Sequence, residues 1–103
     1  MIITTVLLLS SCAQEIALPD DADEQLIQGS DVYRASCARC HGADGGGGIG
    51  ASLRGVDDRL TLDEQISVVV NGRNQMPRFD TVLSESDIEA VVRYQREILS
   101  GSG

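Results

Sequence analysis

Apolar positions along the chain cluster into separate segments with different spacing, and the spacing names the elements. Met1 to Leu9 is a short run carrying Ile2, Ile3, Val6, Leu7, Leu8 and Leu9. It is far short of the roughly 20 residues that span a bilayer as a helix and fits the core of an export signal. From Leu26 to Ala38 the residues Leu26, Ile27, Val32, Tyr33 and Cys37 recur near three- and four-residue spacing, which predicts a helix. Gly29 interrupts that pattern at a cost of about 1 kcal/mol relative to Ala, which implies the close approach of another helix. Thr61-Leu62-Asp63-Glu64 forms a capping box that opens a short helix through Ile66, Val69 and Val70, with Gly72 as its stop. Ser84 caps a last helix, with Glu85 and Asp87 in its first turn and Ile88, Val91, Val92, Tyr94, Ile98 and Leu99 on its apolar faces. Glu89 and Arg93 stand four apart in the favourable order for an ion pair. No segment alternates with period two, so the fold class is all-α.

Between these helices, Gly42 to Gly55 holds seven glycines and excludes regular helix. A phosphate-cradling loop would need a Lys-Ser/Thr pair and a preceding strand, and neither is present. A loop that wraps closely around a flat group fits better.

Composition changes the picture in two ways. The chain has 103 residues, one Phe, two Tyr and no Trp, a poor aromatic supply for a self-sufficient core in one small domain. Chains of this size often depend on a staple, a metal or another covalent constraint. The net charge is −8, with eight basic residues, all of them Arg. Nucleic acid is therefore an unsuitable partner. The acidity is concentrated in Glu15, Asp20, Asp21, Asp23 and Glu24, with no basic residue among them. That stretch reads as a solvated acidic tether over residues 12–24.

The chemistry centres on Cys37-Ala38-Arg39-Cys40-His41. Two thiols two residues apart, followed at once by histidine, match the attachment site of a c-type haem. The thiols add to the two vinyl groups, and the histidine becomes an axial iron ligand. Structural zinc wants four ligands, whereas Cys37, Cys40 and His41 supply three with no second pair. A thiol-disulfide redox pair belongs in a strand–helix setting that is absent from the pattern. His41 is the chain's only histidine, and Met76 is its only methionine besides Met1. Two protein axial ligands within one molecule are then His41 and Met76.

The third cysteine, Cys12, follows Leu9-Ser10-Ser11, which resembles the lipobox of bacterial lipoproteins. That resemblance implies cleavage before Cys12 and lipid on the new N-terminus. It would occupy the one thiol left over once haem takes Cys37 and Cys40. Residues 1–11 are then an export signal, although no Lys or Arg precedes the apolar run.

From Leu26 to Leu99 the chain resembles the class I cytochromes c. Gly29, Tyr33, Cys37, Cys40 and His41 match the first helix and attachment site of that family. Gly50 and Leu53 match its loop after the haem, Met76-Pro77 its distal ligand motif, and Tyr94 the aromatic of its last helix. The resemblance implies three or four helices wrapped around one covalent haem c, in a cytochrome c domain over residues 25–103. It implies a close helix crossing at Gly29 with Tyr94 beside it. It also implies that a backbone carbonyl in the Gly50–Leu53 loop accepts the proton of His41 Nδ1. Ala51 stands where the family often has Pro, which makes that loop less stiff. No Trp is available to hold a haem propionate, so Arg54, Arg59 or Arg73 is the expected substitute. The expected function is outer-sphere electron transfer between redox proteins in transient contact, outside the cytoplasm and membrane-tethered through Cys12. Such a protein is a carrier and not an enzyme. The alternatives are a haem subunit permanently bound to an oxidoreductase complex, and a five-coordinate haem protein that binds a gas or peroxide.

Overall fold

The structure, a computed structural model, is described for residues 16–101. The export-signal region and Cys12 lie outside the described residues, as do Ser102 and Gly103. Helix α1 spans Glu24–Ser36, α2 Ala38–His41, α3 Val56–Arg59, α4 Leu62–Asn71 and α5 Glu85–Tyr94. The last of these continues as a π-helical turn over Gln95–Leu99. Among the described residues there is no strand, only an isolated antiparallel bridge between Arg73 and Met76. The all-α expectation holds.

Both capped helices start where the local chemistry directs. Thr61 Oγ1 accepts from the Glu64 N–H at 3.2 Å while Glu64 accepts from the Thr61 N–H at 3.0 Å. Ser84 and Asp87 repeat this reciprocal cap at the head of α5. Each satisfies two of the amide donors that a helix N-terminus leaves unpaired. Helix α1 begins two residues earlier than its apolar pattern suggests, because Asp23 caps it by accepting from the Leu26 N–H at 3.0 Å.

The architecture rests on the crossing of α1 and α5 at Gly29. A Cβ built on Gly29 would lie 2.8 Å from the Ala90 carbonyl carbon and 2.8 Å from Tyr94 Cβ, and closer still to the Ala90 oxygen. Only glycine lets the two backbones come this near. Around the crossing, Tyr33 and Tyr94 are fully buried, with ring centroids 5.5 Å apart and planes tilted by 50°. That offset geometry suits the quadrupoles of two aromatic rings. Val91, Val92, Ile88 and Leu99 from α5 and its π turn complete the core with Leu53, Val56 and Val69.

Three local expectations differ from what forms. Arg93 does not pair with Glu89; it pairs with Glu97 one turn on and with Asp23 at 2.7 Å across the crossing. Glu97 offers the same four-residue spacing as Glu89, and Asp23 is distant in sequence, so spacing alone does not select the partner. The described part of the acidic stretch is also not free chain. Ile16 and Leu18 pack against the core, the Ala22 N–H donates to the Pro19 carbonyl at 3.0 Å, Asp23 caps α1 and Glu24 opens it. Two apolar anchors outweigh the solvation of the acids that follow them. Finally, α1 stops at Ser36, and a separate short turn, α2, carries Cys40 and His41.

Two outcomes test this arrangement. Gly29→Ala is expected to lower unfolding stability by about 1–3 kcal/mol, as overpacking does, in a urea titration; a midpoint unchanged from the parent would contradict the close crossing. The Asp23 carboxyl sits below its ordinary range, first because of the Leu26 N–H and then because of Arg93. A depressed folded-state value contributes stability above the unfolded-state value that is lost as pH falls. Asp23→Asn is therefore expected to be less stable than the parent at neutral pH, with the gap closing below about pH 4. A gap independent of pH in thermal melts would contradict it.

Candidate functional site

The attachment turn is built by the backbone. At Cys37 the α1 geometry breaks, and the Cys40 and His41 N–H groups both donate to the Cys37 carbonyl, at 3.1 and 3.0 Å. Cys37 is buried and Cys40 half-buried, and both carry free thiols. Burial, followed by the neighbouring Cys40, pushes the Cys37 thiol up to about 11. Gly42, at φ +88°, ends the turn and redirects the chain.

The glycine-rich loop then folds back on the turn it has just left. The Gly47 N–H donates to the His41 carbonyl at 2.8 Å, and the Gly50 N–H to the Cys40 carbonyl at 2.6 Å. A Cβ on Gly50 would stand 3.1 Å from His41 Cε1 and 3.2 Å from Nδ1, so a larger residue would press on the ring. The loop thus wraps the attachment turn itself, with fixed hydrogen bonds. Tyr33 ties this region to the helix crossing, its hydroxyl donating to the Gly42 carbonyl at 2.5 Å. Burial holds that phenol well above its usual range, so it stays a neutral donor.

His41 Nδ1 lies 2.7 Å from the Ala51 carbonyl oxygen. A carbonyl only accepts, so the Nδ1 position carries the proton and Nε2 keeps its lone pair for a metal. The carbonyl expected within the Gly50–Leu53 loop is that of Ala51, and it is in place without proline there.

Met76 lies at the end of a tight turn in which the Arg73 and Met76 backbones exchange hydrogen bonds of 3.1 and 2.9 Å. Asn74 takes φ +54° inside that turn. Gly72, at φ +76°, is needed on its near side, because a Cβ there would lie 2.6 Å from the Met76 carbonyl oxygen. The Phe79 N–H donates to the Val69 carbonyl at 3.0 Å and fastens the loop to α4. The Met76 side chain is half-buried against the same apolar cluster that contains Cys37. Leu60, Ile66, Val70 and Phe79 are likewise only partly buried around it.

These residues fit a covalent haem. Two unbridged thiols sit on one turn, a histidine has its tautomer set, a thioether faces apolar neighbours, and a set of apolar side chains keeps surface to cover a flat ring. Of the three arginines expected near a propionate, Arg54 pairs with Asp44 at 2.8 Å and Arg59 bonds to backbone carbonyls. Of these three, only Arg73 makes no side-chain hydrogen bond or ion pair among the described residues. Sequence reasoning overlooked the roles of Arg59 and Tyr33 here, since both act through main-chain oxygens that carry no residue signature.

Comparison with known proteins agrees with this geometry. Residues 24–94 match the family described as cytochrome C oxidase, cbb3-type, subunit III. A cytochrome c-553-like protein of Synechocystis is 41% identical over 69 residues, covering 66% of this chain and 62% of that protein. The solved cytochrome c6 of the diatom Phaeodactylum tricornutum superposes with a TM-score of 0.60 at 33% identity, over 68% of this chain and 88% of that one. The dihydro-heme d1 dehydrogenase NirN superposes at 0.63 with 34% identity, over 66% of this chain but only 15% of NirN.

Gly72→Ala is expected to cost about 1–3 kcal/mol, the range for a side chain forced into a left-handed conformation. Its backbone amide shifts should concentrate in residues 73–79. Unchanged stability with undisturbed shifts in that loop would contradict the role given to Gly72.

Proposed function

The chain belongs to the cytochrome c family, whose cofactor is a covalent haem c, and on that premise we propose that it is a one-electron carrier. In this reading Cys37 and Cys40 hold the haem through thioethers, and His41 and Met76 are the axial iron ligands. The observation that carries it is the His41 ring, committed through Nδ1 to the Ala51 carbonyl and so presenting Nε2. When bound, the haem iron supplies the one-electron couple. The chain's own residues do the rest. His41 is held in one orientation by the loop, Met76 is held by the Gly72 turn, and partly buried apolar side chains keep water away. A thioether favours the ferrous state and raises the potential relative to two nitrogen ligands. Two strong protein ligands leave no vacant coordination position, which disfavours gas or peroxide chemistry.

Ile49 supports a transient, partly apolar contact with redox partners. It is 86% exposed, beside the Gly50 N–H that donates to the Cys40 carbonyl, so an apolar side chain stands next to the attachment turn. The proposal also places the protein outside the cytoplasm, anchored by lipid at Cys12, on the strength of Leu9-Ser10-Ser11-Cys12. Among the described residues no helix is long and apolar enough to cross a membrane. Because Ile16 and Leu18 already pack on the domain, lipid at Cys12 would hold the haem domain close to the membrane surface. A second reading is a haem module of a larger oxidoreductase, favoured by the superposition on a small part of NirN. Isolation of the native protein in fixed stoichiometry with a large partner would select it.

Met76→Ala tests the ligand assignment. The ferric parent should show the far-red charge-transfer band of thioether-ligated haem, and its ferrous form should resist CO. The variant should lose the band, drop in potential and bind CO readily. A parent that lacks the band and takes up CO would overturn the carrier reading. Intact-mass measurement of the mature protein should find a diacylglyceryl group on an N-terminal Cys12; an unmodified Cys12 would remove the anchor.

A further inference from the structure

Arg59 closes α3, a single turn that brings its side chain back over the preceding loop. Gly55 reverses the chain at φ +70°, and Val56, only 3% exposed, pins the turn. The Arg59 guanidinium then donates from Nη1 to the Arg54 carbonyl at 2.6 Å and from Nη2 to the Ser52 carbonyl at 2.9 Å. The Ser52–Leu53 peptide is thereby held at both ends, because the Leu53 N–H donates to the Gly45 carbonyl at 2.7 Å. The adjoining Ala51–Ser52 peptide is the one whose carbonyl meets His41 Nδ1. Otherwise that peptide has little to fix it. Ala51 and Ser52 are exposed, neither the Ser52 N–H of that peptide nor the Ala51 N–H before it makes a hydrogen bond among the described residues, and the Ser52 hydroxyl contacts are long, at 3.3 and 3.4 Å.

We infer that Arg59 is a positioning residue for His41: its forked guanidinium locks the 52–54 backbone so that the Ala51 carbonyl stays aimed at the Nδ1 proton. The inference rests on the reading of His41 as the axial ligand. It assigns this arginine to the proximal loop and not to a haem propionate. Charge-assisted donors to carbonyls are stronger than neutral ones, and a planar fork holds two acceptors where an ammonium holds a point. The arginine does the work a rigid residue would do at position 51, where φ is otherwise free.

The test is proton exchange in the ferrous holoprotein, followed by NMR at the His41 Nδ1–H, with the amides of the fully buried Val91 and Val92 reporting global opening. Arg59→Gln and Arg59→Lys are each expected to speed exchange of the ring proton about tenfold while the Val91 and Val92 amides change by less than about twofold, the signature of local opening. Adding Ala51→Pro to either variant should return the ring-proton rate to within about threefold of the parent, since proline restores stiffness without removing a used N–H. Ring-proton exchange that is unchanged in Arg59→Gln, that is parental in Arg59→Lys, or that accelerates in step with Val91 and Val92 would overturn the inference. So would acceleration that Ala51→Pro does not relieve. If the parent itself shows no protected ring proton, the bond from His41 to Ala51 fails first, and the site reading fails with it.

Discussion

Two helices can touch backbone to backbone only where one of them lacks a side chain, and the rest of this structure depends on that contact at Gly29. It sets how far α1 and α5 can close, and so where Tyr33 and Tyr94 meet. The Tyr33 hydroxyl carries the constraint outward to the Gly42 carbonyl, at the point where the chain leaves the attachment turn. At the other end, α5 unwinds into a π turn that brings Leu99 over Gly45, and Ser100 accepts from the Gly55 N–H at 3.0 Å. Such π turns often mark functional segments of otherwise regular helices. Here the departure from α geometry lets one helix hold both ends of the glycine-rich loop.

That loop is where a small chain with few aromatics makes an ordered site. Glycines give it the left-handed turns and close approaches it needs, and the entropy they cost is offset by hydrogen bonds to Cys40, His41 and Gly45. Side chains contribute as well: Asp44 pairs with Arg54 within the loop, and Arg59 donates from α3 to the Ser52 and Arg54 carbonyls. The loop after α4 follows the same plan more simply, with Gly72 and Asn74 shaping a tight turn that ends at Met76. A carrier gains from this rigidity, because keeping the same ligand geometry in both oxidation states limits reorganisation.

Much of this was readable in the residues themselves. Thr61 and Ser84 announce their helices because a cap is a local event, settled within three residues. Gly29 is conspicuous because a helix interior tolerates glycine poorly. Cys37, Cys40 and His41 point to haem attachment through their spacing, and Met76 is singled out as the only methionine besides Met1; their roles remain the proposal made above. What escaped depends on partners far along the chain or on the main chain. Arg93 prefers Asp23, distant in sequence, over its neighbour Glu89. Ile16 and Leu18 dock although acids dominate their surroundings. Helix α3 is too short for periodicity to register, and Arg59 binds carbonyls, which no residue type advertises.

The proposed ligation by His41 and Met76 would leave the iron six-coordinate whether oxidised or reduced, and a spectroelectrochemical titration of the purified holoprotein decides it. The expected result is a single reversible one-electron step between two low-spin spectra, with a potential in the raised range that thioether ligation confers. A high-spin spectrum in either oxidation state, or a low potential typical of two nitrogen ligands, would contradict it.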